Sequence, residues 1–110
     1  MDVFTARKLA MALPGATEHD HFGKGAYRVP GPKGKPSKIF MTLWVEDQRA
    51  VFMLSTEQQT ELNAHHPQVY FPVPNKWGEK GATFVELSEA SEAVFRKGLE
   101  LAIGNATALK

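Results

Sequence analysis

Apolar positions near the start of the chain recur at helical spacing. Phe4, Leu9 or Ala10, and Leu13 share one face of a helix over residues 2–13, with Arg7 and Lys8 in its middle, and Pro14-Gly15 stops it. Ala16 to Gly23 is polar and reads as a loop. Tyr27-Arg28-Val29 reads as a short strand, and Pro30 to Pro36 as a turn-rich connection. From Lys38 to Val45 the chain alternates Ile39, Met41 and Leu43 against Phe40, Thr42 and Trp44. Both faces of that strand are apolar, so it is expected to be central, or covered by helix on one side and by loops or a partner on the other. Glu46-Asp47-Gln48 turns the chain into a third strand, Arg49 to Leu54. Ser55 opens a helix with Gln58 as capping-box partner, and the helix runs to His65 or His66 ahead of Pro67. Val69-Tyr70-Phe71 reads as a short edge strand before Pro72 and Pro74. A turn at Asn75-Lys76-Trp77-Gly78 leads to a fifth strand, Ala82 to Leu87. Ser88 or Ser91 caps the last helix, whose stripe is Val94, Phe95, Gly98, Leu99, Ala102 and Ile103.

The order α-β-β-β-α-β-β-α with short turns predicts an α+β two-layer sandwich: one antiparallel sheet of about five strands with helices packed on one face. Expected core positions are Phe4, Leu9, Leu13, Ile39, Met41, Leu43, Val51, Met53, Leu62, Val85, Leu87, Phe95 and Leu99. A chain of 110 residues fits one domain spanning 1–110. The absence of Cys excludes thiolate metal sites and Cys nucleophiles and fits a reducing, cytoplasmic setting. No signal-peptide core and no run near the ~20 apolar residues of a membrane span is present, so no membrane partner is expected.

Charge changes the picture locally. The formal net charge is only +1, which argues against a whole-surface nucleic-acid binder. Yet between His21 and Glu46 lie Lys24, Arg28, Lys33, Lys35 and Lys38 with no Asp or Glu. Of 13 Lys and Arg those five sit in one stretch, leaving eight against 12 acidic residues elsewhere. Such a positive prong on a mildly acidic body suits contact with a polyanion along one edge. A solvated turn, kept soluble by lysine, accounts for the same residues without a partner. Lys76, Trp77 and Lys80 form a second candidate contact, where an aromatic stacks on an unpaired base while ammonium groups meet phosphate. Trp77 is also expected to fold back as a lid over the sheet's edge, and Trp44 to pack in the core or at an edge.

Other chemistry is thin. Glu18-His19-Asp20-His21 and His65-His66 lack the spacing that chelates one ion, so no metal is expected. Ser37, Ser55, Ser88 and Ser91 sit at turns or caps without a nucleophile motif, and no glycine-rich phosphate loop follows a strand. No catalytic residue and no cofactor is expected, and the chain reads as a non-enzymatic binding domain.

Leu13-Pro14-Gly15, His21-Phe22-Gly23, Ala26-Tyr27-Arg28-Val29, Lys38 to Trp44 and Pro72-Val73-Pro74-Asn75-Lys76-Trp77-Gly78, in that order and spacing, resemble the small bacterial MmcQ/YjbR family over nearly the whole chain. The resemblance implies a CyaY-like α+β domain and a proposed role in DNA binding through two wing-like hairpins. By position these are the Pro30 to Pro36 connection and the Pro74 to Ala82 turn. The residues and the resemblance together point to DNA as partner, bound weakly and largely without sequence preference by Lys24, Arg28, Lys33, Lys35, Lys38, Lys76, Trp77 and Lys80. The alternative is a protein- or small-ligand-binding module using an aromatic-lined sheet face or pocket of Phe22, Trp44, Phe71 and Trp77. A concave pocket lined by Trp44, Phe71 and Trp77 favours the alternative, whereas those aromatics packed away with the lysine turns projecting from one side favour DNA.

Overall fold

A computed structural model describes residues 1–108. Its elements are α1 (Val3–Met11), β1 (Thr17–His21), β2 (Lys24–Arg28), β3 (Met41–Trp44), β4 (Arg49–Met53), α2 (Thr56–His65), β5 (Tyr70–Pro72), α3 (Lys76–Glu79), β6 (Ala82–Glu86) and α4 (Glu92–Thr107). Six strands form one antiparallel sheet in the order β1-β2-β3-β4-β6-β5. The fold class is therefore the α+β sandwich read from the sequence, with one strand more than expected.

That extra strand is β1. Its residues, Thr17 to His21, were expected to be loop because all are polar. Instead they pair with β2 from Thr17↔Arg28 to His21↔Lys24, through a two-residue turn. Phe22 and Gly23 in this turn have φ of 55° and 82°, the signs of a type I′ hairpin turn. A charged, exposed strand at this position also gives the sheet an edge that resists pairing with other chains. The other strand boundaries shift by a few residues. The pairing of β2 begins at Lys24, and β3 is confined to Met41–Trp44, although Phe40 before it still donates to the Tyr27 carbonyl of β2 and accepts from the Met53 N–H of β4, while the Lys38 N–H turns to the Ala106 carbonyl of α4.

The helices bury one face of the sheet. Val3, Ala6 and Ala10 of α1, Leu62 of α2, and Phe95, Leu99, Ala102 and Ala106 of α4 join Tyr27, Met41, Leu43, Ala50, Phe52, Tyr70 and Val85 in the main core. Small residues let helices approach closely. On α4 a side chain at Gly98 would stand 2.3 Å from the Tyr70 hydroxyl and 2.8 Å from the Phe52 ring. Tyr70 donates from that hydroxyl to the Val94 carbonyl at 2.5 Å. The caps follow the sequence: Ser55 and Gln58 form a reciprocal capping box, and Ser91, not Ser88, caps α4.

Two core assignments need correction. Phe4 is 77% exposed, because α1 turns its Val3, Ala6 and Ala10 face inward instead of the Phe4 face. Ile39 is only half-buried, and Phe40 beside it is fully buried in the main core. Val51 and Met53 do pack, but in a second, smaller cluster with Val73, Ala82, Phe84, Trp44 and Phe71. That cluster lies on the opposite side of the sheet, where strand alternation places Val51 and Phe84 back to back with Ala50, Phe52 and Val85. None of the three long helices contributes a buried residue to it. The strand through Thr42 and Trp44 is thus central, with helices behind it and an apolar face left open in front.

Candidate functional site

The open face is concave and aromatic. Trp44 stands edge-on to Phe84, with ring centroids 5.1 Å apart and planes at 88°. Its indole N–H donates to the Thr42 hydroxyl at 3.2 Å, which fixes the ring across the strand. From the far side, α3 contributes Trp77. The turn expected at Asn75 to Gly78 is a single helical turn, capped by Asn75, whose side-chain oxygen accepts from the Trp77 and Gly78 amides. Gly78 has to be glycine, since a Cβ there would lie 1.7 Å from the Val73 carbonyl oxygen. Buried Gln59 of α2 holds this segment, donating to the carbonyls of Gly78 at 2.9 Å and Ala82 at 3.0 Å and to the Thr83 hydroxyl at 3.1 Å.

Between the two tryptophans is a pocket of about 330 Å³. Trp44 and Trp77 form two walls, Val51, Met53, Val73 and Ala82 the floor, and Phe22, at the tip of the β1–β2 hairpin, one lip. Trp77 is 64% exposed, so its ring lines the mouth instead of sealing the sheet's edge. Phe22 is 90% exposed and has an edge-to-face contact only with His21, at 4.8 Å.

Cations surround this pocket. Lys24, on the same face of β2, places its ammonium 4.4 Å from the centre of the Trp44 ring, and the Lys80 ammonium lies 5.9 Å from that of Trp77. Adjoining the pocket, and sharing Ile39 and Met53 as a common wall, is a second cleft of about 490 Å³. It is lined by Arg28, Lys38, Lys80, Ser37 and Asn105, among others, and by no acidic residue among the described residues. The Arg28 Nε is buried and has no hydrogen-bond partner among the described residues. By contrast Arg49, also on the open face, is committed to Glu86 at 3.0 Å, its cross-strand neighbour.

Of the eight residues proposed from sequence to meet nucleic acid, the fold brings five to this face. Arg28, Lys38 and Lys80 line the cleft, and Lys24 and Trp77 line the pocket. Lys33, Lys35 and Lys76 are exposed and line neither. The Pro30 to Pro36 connection closes on itself through a Pro30↔Pro36 bridge with a 3-10 turn at its tip, where Lys33 has φ 60°. Of the four pocket aromatics, Phe22, Trp44 and Trp77 meet, whereas Phe71 packs away against Phe84 beneath the Arg49 guanidinium. The sequence reading missed Ile39 and Met53 as the shared wall, and Asn105, which reaches the cleft from α4 and donates to the Met53 carbonyl at 3.2 Å. Strand alternation from Lys38 carried a signal for Ile39, and nothing local carried one for Asn105.

The histidine cluster does not assemble. Alternation along β1 separates Glu18 and Asp20 from His19 and His21, and Glu18 binds Arg7 and Tyr27. Among the described residues no three His, Cys, Asp or Glu side chains group around one point.

The sequence model of the YjbR family matches residues 11–100. The chain belongs to the YjbR family. No curated protein and no solved structure gives a significant match. The match takes in only Met11 of α1 and everything from β1 through the first half of α4, so every side chain of this YjbR pocket lies within it, and only Asn105 and Ala106 of the adjoining cleft fall outside.

Proposed function

We propose that this chain is a nucleic-acid-binding domain that takes a single strand across the open face of its sheet. Unpaired bases lie against Trp44, Trp77 and Phe22, and the sugar-phosphate backbone follows Lys24, Arg28, Lys38 and Lys80. The observation that carries this reading is convergence. Lysines from two distant parts of the sequence sit beside two tryptophans on the one face that no long helix covers, and further cations gather beyond the same apolar wall. Stacking on an aromatic contributes about 1–3 kcal/mol per base and accepts any base, while the ammonium and guanidinium groups neutralise phosphate without reading sequence. Lys33, Lys35 and Lys76, outside the site, add long-range attraction.

Trp44 and Trp77 do line a concave pocket, the arrangement expected of a protein- or small-ligand-binding module, and this favours a second reading. The pocket's walls are mainly apolar, and about 330 Å³ is within the size of small-molecule sites. A flat apolar ligand would fill it without a strand.

Fluorescence anisotropy with labelled oligothymidylate and with a duplex of equal length, at two salt concentrations, separates the two readings. The expected result is micromolar or weaker binding, tighter for the single strand and strongly weakened by salt. Changing Lys38 and Lys80 together to Gln flattens the slope of log affinity against log salt by about 1.4, at about 0.7 per phosphate contact on a single strand. No binding of the single strand at low salt overturns the proposal and leaves the small-ligand pocket.

A further inference from the structure

The cleft beside the aromatic pocket has more positive charge than a strand passing over it requires. Arg28, Lys38 and Lys80 come from β2, the segment before β3 and the end of α3, three stretches with no sequence relation, and meet around one cavity. Among the described residues no carboxylate lines the cleft and none of the three cations forms an ion pair. The last turn of α4 adds carbonyl groups to one wall, as Lys38 N–H bonding to the Ala106 carbonyl attests, and these offset only part of the charge. Gathering three like charges without a counterion is unfavourable, and an anion seated between them relieves it.

The Arg28 Nε gives a direction to that anion. It is buried with its N–H unpartnered among the described residues, an arrangement that costs free energy until an acceptor arrives. A guanidinium offers a planar fork that phosphate oxygens match in pairs. An internal phosphodiester carries a single negative charge. A terminal phosphate monoester carries about −1.5 to −2 at neutral pH and exposes three oxygens, which matches a site of three cations better.

We propose that the Arg28–Lys38–Lys80 cleft is a pocket for a terminal phosphate monoester, so that the chain holds the phosphorylated end of a nucleic-acid strand, with the first base in the Trp44–Trp77 pocket across the Ile39–Met53 wall. The inference rests on the open-face reading above and narrows it from any strand to a strand end.

The test compares oligothymidylates of one length bearing a 5′-phosphate, a 3′-phosphate or hydroxyls at both ends, binding to the full chain at a salt concentration that suppresses non-specific contact. Inorganic phosphate and a thymidine monophosphate serve as small probes, read by the rise in melting temperature. A terminal phosphate at one of the two ends is expected to tighten binding about tenfold or more, the scale of one or two charge-assisted hydrogen bonds. In Arg28→Gln that preference falls toward unity, and Arg28→Lys, which keeps the charge and loses the fork, restores only part of it. Circular dichroism of both variants establishes that they fold. Equal affinity for phosphorylated and hydroxyl-ended strands overturns this inference while the open-face reading stands. Stabilisation by thymidine monophosphate or inorganic phosphate that is lost in Arg28→Gln, with no strand bound, keeps the anion pocket and overturns the strand reading. No response to any phosphate probe overturns the pocket outright.

Discussion

Phe22 combines two properties that stability alone does not select. It occupies a left-handed backbone conformation, which favours Gly or Asn and costs a bulky residue roughly 1 kcal/mol, and it leaves nearly its whole ring in water. Both make sense at the lip of a pocket that needs an aromatic there. Phe22→Asn is therefore expected to raise stability by about 0.5–1 kcal/mol, since Asn-Gly is the preferred pair for a type I′ turn, and to weaken oligonucleotide binding. Chemical denaturation and anisotropy on the same variant check both signs, and a variant that loses stability or keeps full affinity contradicts the reading. Gln59 shows the reverse relation, a buried polar residue that serves the site by holding α3. Gln59→Leu leaves the Gly78 and Ala82 carbonyls without that donor and is expected to cost about 1–3 kcal/mol, and the indole of Trp77 should lose its defined environment. Denaturation midpoints and the emission of a Trp44→Phe background measure the two effects.

At the scale of elements, α1 is fastened to the β1–β2 hairpin by one carboxylate. Arg7 of α1 grips Glu18 with two bonds of 2.8 and 2.9 Å, and the Tyr27 hydroxyl donates to the same group. The Arg7 bond first, and the Tyr27 bond next, hold the Glu18 carboxyl below its ordinary value of 4.5, while burial pushes the Tyr27 hydroxyl well up. A carboxyl with a depressed folded-state value contributes stability that is complete above the unfolded value and is lost as pH falls through the folded one. Glu18→Gln should thus flatten the fall of melting temperature below about pH 4.5, and identical acid limbs in the two proteins would contradict this. This device was invisible in sequence because β1 itself was: Thr-Glu-His-Asp-His has neither apolar alternation nor β-branched content beyond Thr17, and its pairing comes from the hairpin turn and from Tyr27 opposite Glu18. Where side chains cap or alternate, the elements were legible, as with Ser55–Gln58, Ser91 and the apolar run of β4. The α1 face was misread because a stripe of Val3, Ala6 and Ala10 is small, and small residues that win a helix its close approach give a weaker hydrophobic signal than Phe4 does.

At the scale of the whole molecule, a sheet with helices on one side must leave the other side to solvent, loops or a partner. The apolar Thr42–Trp44 face and the charge-segregated segment are both readable in the sequence, and the fold adds that Lys24, Arg28 and Lys38 of that segment border the same face while Lys33 and Lys35 do not. What residue order did not reveal is the meeting of Arg28, Lys38 and Lys80, because a three-way contact among β2, an irregular segment and a one-turn helix depends on tertiary packing. The measurement that tests the central claim most directly uses the chain's two tryptophans, both of which line the pocket. Titrating the protein with unlabelled oligothymidylate at low salt is expected to quench their emission saturably, with Trp44→Phe and Trp77→Phe each keeping part of the signal and added salt reversing it. Emission that does not change while the strand binds by anisotropy would place binding elsewhere, and emission that does not change because nothing binds would remove nucleic acid from the open face altogether.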